Sequence, residues 1–273
     1  LKSGESVIFL INDLKEKLPL SDIYCLLMSA LGREKEFLFS HPEYTLSPDE
    51  RRRWNEYKER RLGGEPCAYI TGYREFFSLL FRVNRYTMIP RPETELLVEE
   101  VILLKPKSLL DVGTGCGNIA VASKYYNREC RVVAVDVSDQ ALRVAHENAL
   151  RLLGVHDVIF LKSNYLDNVP EEEFEVIVSN PPYVMTGEIS SLQEEIKGYE
   201  PLLALDGGPD GLDAYRFIIT DSRSYLKKGG KLVLEIDERL VEGIGSLASE
   251  NNYIIEKTVQ DLSGKERMIV LEK

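Results

Sequence analysis

Apolar positions near the start of the chain recur at helical intervals. Val7, Ile8, Ile11, Leu14 and Leu18 share one face before Pro19, and Ile23, Leu26, Leu27, Ala30 and Leu31 repeat the pattern after Ser21–Asp22. Ser47-Pro48-Asp49-Glu50 is a helix start, with a capping hydroxyl, a proline at the first helical position and a glutamate three residues after the cap. The helix it opens carries Arg51, Arg52, Arg53, Lys58, Arg60 and Arg61 and stops at Gly63-Gly64. No strand pattern interrupts this stretch, so residues 1–75 are expected to form a small all-helical domain. From Glu75 to Ile89 the residues turn aromatic and β-branched (Phe76, Phe77, Phe81, Val83, Tyr86), with Asn84-Arg85 as a turn. Residues 76–90 are therefore expected to be a β-hairpin connector. Pro90-Arg91-Pro92 breaks the chain before a helix over Glu93 to about Leu104.

The remainder, residues 91–273, alternates strand and helix. Strands are predicted over Ser108–Val112, Arg131–Val137, Val158–Lys162, Phe174–Ser179 and Lys231–Ile236, with helices over Ile119–Tyr126, from Ser138, over Leu212–Leu226 and over Leu240–Glu250. Tyr253–Gln260 and Met268–Leu271 close the chain as two strands without a helix between them. The pattern predicts an α/β fold, a mostly parallel sheet with helices on both faces and one antiparallel insertion at the end.

Charge narrows the function. The formal net charge is −11, yet residues 1–86 hold 14 basic and 13 acidic side chains, so the acidic surplus belongs to the α/β body. An acidic surface repels phosphate backbones and disfavours broad nucleic-acid binding. No uncharged apolar run reaches the ~18 residues of a membrane span, and no signal-peptide pattern opens the chain. Cys25, Cys67, Cys116 and Cys130 have no paired spacing and, with three histidines, form no metal signature. Scattered thiols read as reduced, and the expected location is the cytoplasm.

Candidate chemistry begins at Asp111-Val112-Gly113-Thr114-Gly115-Cys116-Gly117, which follows the first strand of the body and opens a helix. Glycines let the backbone approach a ligand closely, and the helix start offers free N–H groups. Asp136 ends the second strand, placed to accept hydrogen bonds from ribose hydroxyls. The dinucleotide fingerprint needs a glycine at position 118, where this chain has Asn118. The Asp111 carboxylate also suits a ligand with a positive end, such as the amino group or sulfonium of S-adenosylmethionine, better than a pyrophosphate. Asn164, at the end of the third strand, is in reach of an adenine edge. Asn180-Pro181-Pro182-Tyr183 follows the strand Phe174–Ser179. The proline pair stiffens the loop and leaves carbonyls available, so the Asn180 side-chain oxygen and a neighbouring carbonyl can accept from one planar NH2 group. Such acceptors favour positive charge developing on nitrogen during methyl transfer, and Tyr183 offers a face to a planar group.

These residues resemble the class I S-adenosylmethionine-dependent methyltransferases acting on planar amino groups, and more closely the glutamine-N5 methyltransferases of translation release factors. Three longer strings carry the closer resemblance. They are Gly64-Glu65-Pro66-Cys67-Ala68-Tyr69-Ile70-Thr71-Gly72 with Glu75-Phe76, Ile89-Pro90-Arg91-Pro92-Glu93-Thr94-Glu95, and Glu200-Pro201 with Ala204-Leu205 and Gly207-Gly208-Pro209-Asp210-Gly211-Leu212. The resemblance implies a seven-stranded, mostly parallel Rossmann-like methyltransferase sheet and a helical domain that helps hold a release factor. It implies S-adenosyl-L-methionine as cofactor, S-adenosyl-L-homocysteine as product, and the glutamine of a Gly-Gly-Gln loop as target. Asn180 would bind the glutamine amide, with the Pro181 carbonyl as second acceptor, Pro182 in the same loop and Tyr183 packing on the amide. Arg91 and Glu93 fall in a motif the family places near the pocket. The chain departs from the family at Asn164, where an acid is common, and at Ile236-Asp237-Glu238, where a glycine and then a glutamine are usual. A monomer is expected; the arginine-rich helix 51–61 reads first as a solvated helix face and second as a contact to release factor or ribosome.

The main rival is an adenine-N6 nucleic-acid methyltransferase, which shares the planar-amine chemistry but must flip a base and neutralise phosphates. A non-catalytic adenosine-ligand module has no need of an amide-orienting loop. An NAD-dependent oxidoreductase is disfavoured by Asn118 and by the lack of an evident hydride-transfer acid or base.

Overall fold

The computed structural model describes residues 6–154 and 157–273, so the first five positions of the expected helical domain lie outside it. The chain divides into two compact units, one reaching to Gly72 and including Gln193–Tyr199, the other formed by Tyr73–Leu192 and Glu200–Lys273.

The first unit contains helices α1 (Val7–Leu14), α2 (Leu20–Leu31), α3 (Lys35–Ser40), α4 (Pro48–Leu62) and α5 (Cys67–Thr71). Ser47 and Glu50 cap α4 reciprocally, each side chain accepting from the other's backbone N–H. The buried faces of α1 and α2 meet Trp54 of α4 in one apolar core. Ile8, read as part of the buried face, is half exposed. The arginines of α4 are engaged within this unit: Arg53 donates to the Ala30 carbonyl at 2.8 Å, and Arg60 pairs with Glu65 at 2.6 Å. Arg61 bridges Asp22 at 2.7 Å and Glu195 at 2.8 Å. That bridge, with the Tyr199 hydroxyl on the Gly63 carbonyl at 2.9 Å, explains why residues 193–199 group with the helices although the sequence pattern assigns them to the body.

In the second unit a hairpin of β1 (Tyr73–Phe76) and β2 (Leu79–Arg82) precedes α6 (Glu95–Leu104). The hairpin starts earlier than the aromatic pattern predicts and turns at Phe77-Ser78, not at Asn84-Arg85. Both turn residues have positive φ (49° and 59°), which tight hairpins need and side chains resist. Tertiary contacts hold the turn: the Phe77 N–H donates to Glu95 at 2.8 Å and its ring meets Tyr126 edge-on at 5.1 Å. Asn84-Arg85 forms a second turn, closed by the Thr87 N–H on the Asn84 carbonyl.

The body continues through β3 (Ser108–Val112), α7 (Asn118–Tyr126), β4 (Arg131–Asp136), α8 (Asp139–Leu153), β5 (Val158–Lys162) and β6 (Phe174–Ser179). After α9 (Glu194–Lys197), which belongs to the helical unit, come α10 (Asp213–Tyr225), β7 (Leu226–Glu235), α11 (Val241–Glu250), β8 (Ile254–Gln260) and β9 (Glu266–Glu272). Seven strands form one sheet in the order β5-β4-β3-β6-β7-β9-β8. The first five are mutually parallel and β9 runs antiparallel between β7 and β8, the terminal insertion that two consecutive strands predict. β7 begins five residues before the predicted Lys231, because Leu226 pairs with Phe174 across a register shift. The sheet's core strands are near-continuous apolar runs buried on both faces, as a helix-covered parallel sheet requires. Strand order reverses between β3 and β6, which opens a crevice beyond their C-terminal ends.

Candidate active site

A cavity of about 220 Å³ occupies that crevice. Gly113, Thr114, Gly115, Asp136, Asn164, Asn180, Pro181 and Pro182 all line it, so eight residues chosen from sequence converge there. Asp111, Gly117, Tyr183, Arg91 and Glu93 are not among its lining residues.

The glycine loop explains two of those absences. Asp111 is fully buried under the loop, where its Oδ2 accepts from the Thr114 hydroxyl at 2.6 Å and from the Ala120 N–H at 3.1 Å. Ala120 is the third residue of α7, whose first-turn N–H groups need acceptors from outside the helix. Asp111 therefore fastens loop to helix through Oδ2, while its buried Oδ1 has no hydrogen-bond partner. Burial pushes its pKa up to about 7 against the hydrogen bonds that oppose the shift, and nearby Asp136 adds to it. Gly117 has φ +82°, and a Cβ there would lie 3.0 Å from the Ala145 Cβ, so this glycine lets α7 and α8 approach. At Gly113 and Gly115 φ is also positive, but nothing lies within 4 Å of a built Cβ.

Asp136 stands at the end of β4. Its Oδ2 accepts from the Gly115 N–H and its Oδ1 from the Ser138 N–H, both at 2.9 Å. Each carboxylate oxygen has a second lone pair, so acceptor capacity remains for hydroxyls in the cavity. Burial raises its pKa despite those bonds. On the next strand end, Asn164 donates to Asp167 at 3.2 Å. Beside it Tyr165 lines the cavity at φ +46°, its ring stacked on Phe217 at 5.2 Å. Sequence reading passes over Tyr165. A bulky residue held left-handed beside a cavity is the structural sign of a local constraint.

Asn180 immediately follows β6, and its amide NH2 donates to Thr94 Oγ1 at 3.1 Å. The Thr94 hydroxyl in turn donates to Glu235 Oε2 at 2.6 Å. Thr94 stands within the string Ile89–Glu95, between the charged Glu93 and Glu95. Glu235, an acid ending an apolar strand, carries the one sequence signal that could have found it, since carboxylates are rarely buried unpartnered. Burial raises its pKa to about 7.

Residues 205–211 lie on the backbone of this loop. Val184 N–H donates to the Leu205 carbonyl at 2.9 Å and Gly207 N–H to the Val184 carbonyl at 2.8 Å. A Cβ on Gly207 would fall 2.8 Å from the Pro182 oxygen, and one on Gly211 2.7 Å from the Tyr183 oxygen. Tyr183 is partly buried against the main core, with burial raising its hydroxyl pKa, instead of presenting a face to the cavity. Arg91 forms a short ion pair with buried Glu200, which also accepts from the Ile89 N–H at 3.1 Å. The pair ties the proline-rich segment to Pro201 on the cavity wall. Glu93 acts at a distance, its charge adding to the upward shift at Glu235.

Among the described residues, no helix is long and apolar enough to cross a membrane. A family model described as PrmC N-terminal domain matches residues 10–72, and one described as Methyltransferase small domain matches residues 92–208. A release factor glutamine methyltransferase of Koribacter versatilis is 39% identical over 254 residues, covering 91% of this chain and 89% of the relative. One of Thermodesulfovibrio yellowstonii is 40% identical over 221 residues, covering 79% of each. The crystal structure of a methyltransferase from Pyrococcus furiosus shares the fold, with a TM-score of 0.56 at 20% identity over 80% of this chain and 98% of that one. With its helical and methyltransferase segments both matched and relatives near 40% identity aligned over most of their length, the chain belongs to the release factor glutamine methyltransferase family.

Proposed function

We propose that this protein methylates the side-chain amide nitrogen, N5, of the glutamine in the Gly-Gly-Gln loop of a translation release factor. The observation that carries this reading is the Asn180 amide. Its NH2 is tied back to Thr94, so its carbonyl oxygen is turned away from Thr94 in a residue that lines the cavity. An acceptor so placed selects a planar NH2 group, which a glutamine side chain provides.

S-adenosylmethionine, when bound, supplies an electrophilic methyl group and departs as S-adenosylhomocysteine. The residues present fit it: the open Gly113–Gly115 backbone for its amino-acid end, the spare acceptor capacity of Asp136 for ribose hydroxyls, and Asn164 with Tyr165 for adenine. Asn180 Oδ1 and the Pro181 carbonyl hold both amide hydrogens of the glutamine, which aims its nitrogen along the line of transfer. The same two oxygens would favour the positive charge that develops on that nitrogen as it takes the methyl group. The nitrogen then sheds one proton to solvent, and no strong base is required.

The adenine-N6 rival uses the same loop chemistry but is not favoured, because the relatives matching most of the chain are named for release factor glutamine. Transfer of labelled methyl to a release factor and to duplex DNA, run in parallel, separates the two. We expect label on the release factor, with mass spectrometry placing it on the loop glutamine and none entering after Gln→Ala in that loop. Label on DNA alone would overturn the protein-substrate reading.

A further inference from the structure

We propose that Thr94 and Glu235 are positioning residues that fix which end of the Asn180 amide faces the cavity. The proposal rests on the methyltransferase reading above and adds to it two residues from elements far apart in sequence.

The logic lies in counting protons. An asparagine amide has an acceptor end and a donor end of nearly the same shape, so packing alone does not choose between them. Thr94 Oγ1 carries one hydrogen. At 2.6 Å from Glu235 Oε2, that hydrogen is committed to the carboxylate, an acceptor with no proton to give. Oγ1 is then left only lone pairs toward Asn180, and the amide must present its NH2 there, as the 3.1 Å contact shows. The reversed amide would place two lone-pair oxygens face to face. Glu235 is thus the origin of a polarity that runs outward through Thr94 to the catalytic loop. Its own position is set by the backbone: its carbonyl accepts from the buried Tyr215 hydroxyl at 2.7 Å, and β7 holds it at 2% exposure.

The charge on Glu235 is what makes the chain directional. Once protonated, Glu235 could donate to Thr94, and the Thr94 hydroxyl would be free to donate to the Asn180 amide oxygen, so the reversed amide would be tolerated. Glu93 and Arg91 before α6, Tyr183 after β6, Tyr215 on α10, and Arg267 on β9 all act electrostatically on or beside this carboxylate. Burial and Glu93 raise its pKa to about 7, while Thr94, Arg267 and Arg91 oppose the rise.

The test uses the full chain with a release factor as substrate. Thr94→Val keeps the shape and removes both hydrogen bonds; Thr94→Ser restores them. We expect Thr94→Val to lower kcat by about 10–100-fold with cofactor affinity within about twofold, and Thr94→Ser to recover most of the loss. Glu235→Gln should flatten the acid limb of the kcat profile, which in the wild type falls below a pH of about 7. Unchanged kcat in Thr94→Val, or an equal loss of cofactor affinity, overturns the proposal. A second measurement needs no turnover. With S-adenosylhomocysteine present, the Asn180 side-chain NH2 resonances should shift on titration through the same range, and cease to do so in Thr94→Val and Glu235→Gln. Resonances indifferent to both substitutions also overturn it. If the wild type fails to methylate glutamine, the functional reading falls by itself, and the NMR result still decides whether Thr94 and Glu235 orient Asn180.

Discussion

Two loops border the cavity, and each rests on a buried carboxylate. Under the glycine loop, Asp111 takes its hydrogen bonds from Thr114 and Ala120, three and nine residues away. Under the Asn180 loop, Glu235 takes its bond from Thr94, 141 residues away, and the loop's other supports come from Leu205 and Gly207. Burial pushes both acids up to about 7. The cost is alike, but the acid under the glycine loop finds its partners within nine residues, whereas the acid under the Asn180 loop finds its partner in a distant segment. Damage should follow the same division. The glycine loop is part of the fold's local construction, while the Asn180 loop is a chemical element suspended by contacts that can be cut without unfolding the sheet.

The sharpest break in that comparison comes from Asn180→Ala. Removing the amide deletes one of two proposed acceptors at the nitrogen, and we expect kcat to fall on the order of 10³-fold, about 4 kcal/mol of transition-state stabilisation. Cofactor affinity measured by calorimetry should survive; if it fell in proportion, Asn180 would be structural. Gly207→Val tests the suspension instead of the group. Its side chain would meet the Pro182 oxygen at contact distances under 3 Å, so the loop must move. A displacement near 1 Å should cost about 100-fold in kcat while thermal stability changes little.

Asp111→Ala should behave in the opposite way. It strips acceptors from a buried hydroxyl and a helix-start N–H, a loss of about 2 kcal/mol in stability. Because the loop itself loosens, cofactor affinity and stability should decline together, read by calorimetry and denaturant titration. Preserved affinity in a destabilised Asp111→Ala would separate the loop's geometry from its fastening and dissolve the contrast between the two loops.

The same division governs what the sequence makes legible. Periodicity and turn chemistry specify the capping box at Ser47, the glycine loop, the strand-end position of Asp136 and the βα alternation, because each leaves its mark in residue types within a few positions. The conformation of Phe77-Ser78 was not legible, since a phenylalanine at positive φ is tolerated only through contacts with Glu95 and Tyr126. Nor was the role of Thr94, whose hydroxyl acquires meaning only between Asn180 and Glu235. Asp111 and Gly117 stand out in the sequence as members of the glycine loop, but their contacts with α7 and α8 depend on packing that spacing does not show. Tyr183 was read as a cavity face by proximity to Asn180, but the strand exit turns it toward the core. Sequence spacing marks which residues gather near a site; it does not tell which way each side chain points.

The smallest expected effect separates the two carboxylates by pH. Each has a folded-state pKa raised above its unfolded value, so its contribution to stability is fully present below the unfolded pKa, near 4, and is lost as pH rises through about 7. Between pH 6 and 7.5 each ionising acid should remove about 1 kcal/mol from the fold. Glu235→Gln has no charge to bury, so its stability relative to wild type should improve by that amount over the interval, while its methyl transfer loses the directional Thr94 contact. Asp111→Asn should show the same relative gain in stability on the alkaline side, offset by one amide hydrogen facing the donors Thr114 and Ala120. Denaturant titrations at the two pH values, set beside kcat, distinguish the cases. A gain in stability with a loss of turnover at Glu235 means that the buried charge is retained for the chemistry of the Asn180 loop; parallel changes in both would make it another structural acid like Asp111.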